Sequence, residues 1–132
     1  MRRLAALLIV LGLVACQPPQ PPKYAGPASG KKVAVVGDSI TAWSLAPLKV
    51  SLSEYLLGVV ATPEIDLAAG RTELIKPTVQ SKPKVVVIEL GINSAREVWD
   101  SKDLPHLEGI LNDVKTIPCV IWVTPTALSP SY

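Results

Sequence analysis

Two short stretches of the chain carry no polar residue: Val33-Ala34-Val35-Val36 and Val85-Val86-Val87-Ile88. A strand with one wet face alternates apolar and polar residues. An unalternating run of small and β-branched residues instead suits a strand covered on both faces, as in a parallel sheet between two layers of helix. Helix-like segments separate these runs. Ser44 to Leu57 has apolar residues at helical spacing, with Pro47 near its first turn, where proline is tolerated. Thr72 to Ser81 is predicted to be helical in part, limited by Pro77, and His106 to Thr116 reads as an amphipathic helix. Glu64 to Ala68 is a weak strand candidate, and Val120 to Val123 is another buried strand, entered after Pro118. Strand and helix in alternation predict an α/β fold of three layers with right-handed crossovers.

The N-terminus has a different character. Met1-Arg2-Arg3 is a short basic segment, and Leu4 to Val14 is apolar and uncharged. That run is shorter than the ~20 residues a spanning helix needs, so it reads as an export signal. It ends in Leu13-Val14-Ala15-Cys16, which resembles a bacterial lipobox. The resemblance implies that Cys16 is acylated and becomes the mature N-terminus. Residues 1–15 are then a signal peptide. Residues 16–30, with Pro18, Pro19, Pro21, Pro22 and Pro27, are a semi-extended tether, and 31–132 form the domain. The expected location is a bacterial membrane, facing the periplasm or the cell exterior.

Charge and cysteine content narrow the partners. Without Arg2 and Arg3 the 13 basic residues become 11, which match 11 acidic ones. A neutral mature chain offers no electrostatic case for binding nucleic acid or an anionic surface. Cys119 is the only cysteine besides Cys16, and its apolar surroundings predict a buried thiol without a disulfide partner.

In open parallel sheets, ligands bind beyond the carboxyl ends of the strands. Three predicted strand ends carry small or polar residues there: Gly37-Asp38-Ser39, Ala69-Gly70-Arg71 and Gly91-Ile92-Asn93-Ser94. Ser39 falls in a tight strand-to-helix turn that Gly37 permits. Gly70 and Asn93 offer a backbone N–H and a neutral NH₂ to a developing oxyanion, the kind of donor that stabilises acyl transfer. Each also has a plainer reading: Asp38 and Ser39 as a helix cap, Gly70 as a turn residue, Asn93 as a loop residue.

Val35-Val36-Gly37-Asp38-Ser39-Ile40-Thr41 resembles block I of the SGNH (GDSL-type) hydrolases. Ala69-Gly70-Arg71 resembles their block II glycine region, and Glu89-Leu90-Gly91-Ile92-Asn93 resembles block III. The resemblance implies a flavodoxin-like α/β/α sandwich around a parallel sheet, and an ester hydrolase or acyltransferase working through an acyl-enzyme. It further implies Ser39 as nucleophile, supported by Asp38. The oxyanion hole would be the N–H groups of Ser39 and Gly70 with the Asn93 amide. Neither metal nor organic cofactor is implied. Carbohydrate O-acetyl groups and lipid esters are the substrate classes.

The chain departs from the family pattern twice. Ser94 stands where the family has aspartate, and Ser94-Ala95-Arg96-Glu97 has the form of a capping box. The final Asp-x-x-His block, source of the general base, has no counterpart, and the only histidine is His106. His106, near a helix start, reads as a rim or surface residue, and Glu89 as a structural acid bonded to loop backbone. The chain is therefore expected to be weak or inactive, with a C-terminally incomplete domain. A non-catalytic envelope lipoprotein that binds a glycan or protein partner is the alternative, and a phosphate-binding domain a more distant one.

Overall fold

A computed structural model describes residues 18–95 and 102–124. Five strands form one sheet: β1 (Tyr24–Ala25), β2 (Lys32–Gly37), β3 (Leu56–Ala61), β4 (Val85–Glu89) and β5 (Cys119–Trp122). Their order is β1-β3-β2-β4-β5. The four longer strands are parallel, and β1 pairs antiparallel with β3 at the edge. Two helices follow β2, α1 (Ser39–Trp43) and α2 (Leu45–Ser51). Between β3 and β4 run α3 (Leu67–Gly70), a π-helical turn (Arg71–Ile75) and α4 (Lys76–Gln80). Then come α5 (Ile92–Ala95) and α6 (Leu104–Val114). Both unalternating runs are strands at the centre of the sheet, as expected of chain covered on two faces.

Alternate residues of β2 feed opposite layers. Ala34 and Val36 join Leu67, Leu74, Ile75, Val86, Ile88, Ile110 and Val114 in the larger core, under α3, α4 and α6. Val33 and Val35 join Leu57 in the smaller one, under Leu48 of α2 and Leu52 just after it. The architecture is the three-layer α/β/α sandwich anticipated for the chain.

The region between β2 and β4 differs from its expected form. The helix beginning near Ser44 ends at Ser51, and Leu56-Leu57-Gly58-Val59-Val60-Ala61 is the strand β3. Glu64 to Ala68 is not a strand. Glu64 has φ 62° in a turn, Asp66 caps α3 by accepting from the Ala69 N–H at 2.8 Å, and Leu67 begins the helix. The helical stretch therefore starts five residues before Thr72. It passes through Pro77 by widening: the Lys76 N–H donates to the Arg71 carbonyl, five residues back. Proline lacks an N–H and crowds the carbonyl four residues before it, and a π turn relieves both conditions.

The sheet packing also begins before residue 31. Pro22 is buried and Tyr24 packs on Gly58, where a Cβ would lie 2.9 Å from the ring and 3.0 Å from Pro22. The Tyr24 hydroxyl meets Ser81 Oγ at 2.7 Å, and Lys32 sits 4.3 Å from the centre of the Tyr24 ring. Cys119 is exposed rather than buried, because β5 is an edge strand that the α2 layer does not reach; Ile121 beside it is 48% exposed. Trp122 packs on the larger core, Trp43 on α1 is 80% exposed, and Trp99 lies outside the described residues. Among the described residues, no helix is long and apolar enough to cross a membrane.

Arg71 ties the π turn to α6. Its Nε donates to Asp113 Oδ2 at 2.7 Å and its Nη2 to Oδ1 at 3.3 Å, over Gly109, where a Cβ would collide with the guanidinium. Hydrogen bonding to Arg71 holds the Asp113 carboxyl below its ordinary value of 3.8. The ion pair therefore contributes its full stability above that ordinary value and loses it as pH falls through the depressed one. Thermal melts across the acid range should show a steeper loss of stability in the wild type than in Asp113→Asn, whose curve should be flatter.

Candidate active site

The carboxyl ends of the three inner strands finish level, with Gly37 paired to Ala61 on one side and to Glu89 on the other. Two backbone bonds extend this level beyond the strands: Asp38 N–H donates to the Glu89 carbonyl at 3.2 Å, and Thr62 N–H to the Gly37 carbonyl at 3.1 Å. The chain then turns sharply into α1. Gly37 is required there, since a Cβ would come within 1.9 Å of Thr41 Oγ1 and 2.9 Å of the Glu89 carbonyl oxygen.

Asp38 is fully buried. Its Oδ1 accepts from the Ile40 N–H at 3.0 Å, as a helix cap does, and its Oδ2 accepts from Asn93 Nδ2 at 3.4 Å. Asp38 and Asn93, drawn from two different strand ends, are thus brought together. Ser39 follows Asp38 as the first helical residue, half-buried, and its hydroxyl has no hydrogen-bond partner among the described residues.

Below the turn, Glu89 Oε2 accepts from Thr41 Oγ1 at 3.0 Å and from the Thr41 N–H at 3.3 Å. Glu89 is thus bonded to the backbone and side chain of a residue in α1 rather than to loop backbone. Burial is the main cause that pushes its carboxyl up from the ordinary 4.5; the bonds from Thr41 oppose the rise and the neighbouring Asp38 adds to it.

The other residues singled out in the sequence are placed differently. Gly70 is the last residue of α3, and its N–H donates to the Asp66 carbonyl at 2.9 Å within the helix. A Cβ on Gly70 would touch Leu90 at 3.0 Å, so the glycine here serves close packing of helix on strand end. Ala69-Gly70-Arg71 is not a strand end, which is why Gly70 is not delivered to the rim as an N–H donor. The Asn93 amide donates to the Ile65 carbonyl at 3.1 Å as well as to Asp38, so both of its hydrogens have acceptors. Ser94 lies inside α5 rather than capping it, and its Oγ accepts from the Leu67 N–H at 3.3 Å; Glu97 is outside the described residues. His106 is in the first turn of α6, its N–H donating to the Asp103 carbonyl at 3.1 Å, and it makes no hydrogen bond with Ser39, Asp38 or Glu89. Cys16 precedes the described residues. Among the described residues, no group of three or more His, Cys, Asp and Glu is placed to hold a metal ion.

Thr41 is the site residue that sequence reasoning passed over. Its signal was its place four residues after Gly37, on the helical turn that returns over the strand end.

No family model matches the chain, and no curated protein matches it. Among solved structures it is similar to a psychrotrophic esterase, EstA, from Pseudoalteromonas sp. (TM-score 0.55, 15% identity, covering 70% of this chain and 58% of that one). It is also similar to Axe2, an acetyl xylan esterase from Geobacillus stearothermophilus (TM-score 0.51, 22% identity, covering 74% and 61%). The chain spans 58% and 61% of the length of these structures. The chain shares the α/β/α fold of these two structures.

Gly37→Ala tests the packing of the turn. The added methyl must displace Thr41 from Glu89, and overpacking of this kind costs about 1–3 kcal/mol. Urea denaturation should show a lowered midpoint with an unchanged slope.

Proposed function

We propose that the chain is an ester hydrolase or acyltransferase of SGNH type with Ser39 as its nucleophile. The observation that carries this reading is the position of Ser39. It stands in the first turn after the central strand, half-buried, with an unengaged hydroxyl beside a buried Asp38. The shared fold with two esterases supports it.

In the proposed reaction Ser39 Oγ attacks the ester carbonyl carbon as its proton leaves to a base. The C=O electron pair moves onto oxygen, then returns and expels the alcohol. Water or a second alcohol releases the acyl group in the same manner. The Ser39 N–H and the Asn93 amide are the proposed oxyanion donors. The longer Asn93 contact, 3.4 Å to Asp38, is the one an oxyanion would replace. Gly70 is left out of this set because its N–H is bonded within α3. Small-molecule or carbohydrate esters are the proposed substrates, carbohydrate O-acetyl groups and lipid esters among them.

Among the described residues, no base is hydrogen-bonded to the Ser39 hydroxyl to take its proton. A serine hydroxyl without a base is a weak nucleophile, and serine proteases stripped of their triad retain ~10³–10⁴ over water. The chain as it stands is expected to be correspondingly slow. The second reading is an envelope lipoprotein that binds a glycan or protein partner through a remnant SGNH domain; the Ser39 hydroxyl, with no base bonded to it among the described residues, fits that role as well. Export and anchoring through Cys16 belong to both readings. They rest on the order of basic segment, apolar run and Leu13-Val14-Ala15-Cys16.

Covalent labelling separates the two readings where turnover does not. A fluorophosphonate probe should add its mass to the peptide holding Ser39, and Ser39→Ala should abolish the adduct. A folded wild type that stays unlabelled after prolonged exposure would sink the nucleophile assignment and leave the binding role. For the anchor, an alkyne fatty acid fed to a bacterial host should be incorporated into the wild type and not into Cys16→Ala. Equal incorporation in both would refute lipidation at Cys16.

A further inference from the structure

The antiparallel edge strand decides from which end of the sheet the N-terminal segment leaves. Tyr24 pairs with Gly58 and Ala25 with Leu57, so the residues before Tyr24 run toward the carboxyl end of β3. Pro22 packs on Gly58, and Pro19 and Gln20 line an open cavity with Val60, Ala61 and Thr62. Thr62 stands level with the turn that carries Ser39, since its N–H donates to the Gly37 carbonyl. Gln20 therefore reaches the same rim as Ser39. Their strands are two places apart in the order β1-β3-β2, about 10 Å at the usual strand spacing. The four residues from Gln20 back to Cys16 span at most about 14 Å. A parallel β1 would have sent the chain out from the opposite end.

The helix that starts at this rim presents apolar side chains to the outside. Ser39, Ile40 and Trp43, spaced three and four apart, share one side of α1, while Thr41 is turned inward and buried. Ile40 is 41% exposed and Trp43 more so, and neither belongs to the two cores. An exposed tryptophan suits the boundary of hydrocarbon and water, where its ring is covered and its N–H stays wet. The exposed charges that follow β3, Glu64 and Asp66, are acidic, so contact with lipid here depends on apolar side chains and not on anionic headgroups. We propose that this rim rests on the lipid surface in which Cys16 is anchored, with Ile40 and Trp43 entering the headgroup layer, so that Ser39 meets esters presented from the membrane rather than from solution. The inference rests on Cys16 carrying the lipid and, for its last clause, on Ser39 being the reactive residue. The orientation itself does not require Ser39 to react.

The test uses the full chain, isolated from a bacterial host and placed in phosphatidylcholine vesicles, with circular dichroism to establish folding of each variant. The emission of Trp43 is the difference between wild type and Trp43→Phe. Brominating the lipid chains near the headgroups should cut that difference about twofold or more, because a tryptophan at headgroup level lies beside the bromines. A reporter at the far end of the sheet gives the contrast. Glu54 is exposed just before β3, about 20 Å from the rim along the strand, and the emission that Glu54→Trp adds to Trp43→Phe should be equal in both lipids. A fluorophosphonate on a long alkyl chain, dissolved in the vesicles, should label Ser39 about tenfold faster than a short water-soluble one, through its higher local concentration, and Cys16→Ala should lose this preference. Trp43 emission indifferent to bromine, or equal quenching at positions 43 and 54, would overturn the orientation. So would a wild type that fails to float with the vesicles, since the anchor is then missing. Equal labelling by the two probes would overturn the claim that esters arrive from the membrane. Quenching of Trp43 with no labelling by either probe would uphold the orientation and count against Ser39 as nucleophile.

Discussion

Strand β2 lies between β3 and β4, and its bonding to β4 continues one residue past the strand, where the Asp38 N–H reaches the Glu89 carbonyl at 3.2 Å. That single extra rung fixes where the chain leaves the sheet and turns into α1. From it follow the cap on Ile40, the hold on Thr41 and the approach of Asn93. A residue with a Cβ at position 37 would drive Thr41 away and open this arrangement from below. The helices contribute by covering both faces of the sheet, which keeps water from the rung and makes its hydrogen bonds costly to break.

Much of this was legible in the chain because burial leaves a strong mark on composition. A strand covered on two faces cannot carry polar residues, so Val33–Val36 and Val85–Ile88 declare themselves, and with them the positions of Asp38, Ser39 and Glu89 just beyond. Strand β3 hid because its apolar residues adjoin those of α2, and Leu48, Leu52 and Leu56, each four apart, fit helical spacing as readily as alternation. Placing a strand at Glu64–Ala68 then put Gly70 at a strand end, when it belongs to a helix capped by Asp66. Cys119 failed for a related reason: an apolar run states that a strand is hydrophobic, but not whether any layer reaches across the sheet to cover it. Asn93 was visible as a donor, yet its engagement with Ile65 was not, since that carbonyl comes from a loop distant in sequence.

The hold of Glu89 on Thr41 shows where a sequence is silent. Gly-Asp-Ser and Glu-Leu-Gly each read as ordinary strand ends, and nothing in either announces that Glu89 meets the helix that follows Asp38. Only the parallel register, Gly37 opposite Glu89, makes them neighbours.

The edge strand β1 has a mechanical meaning. On the reading that Cys16 carries a lipid, a free tether through residue 30 would let the domain wander some 40 Å from the bilayer at ~3.1 Å per residue. Pro22 and Tyr24 are instead packed against Gly58, and Tyr24 is latched to Ser81. The leash is then only the few residues before Pro22, on the order of 15–20 Å at the same rise. The domain would hang by one edge of its sheet, with its swivel point fixed and its orientation to the lipid surface restricted, as a plaque on a short hook rather than a float on a line.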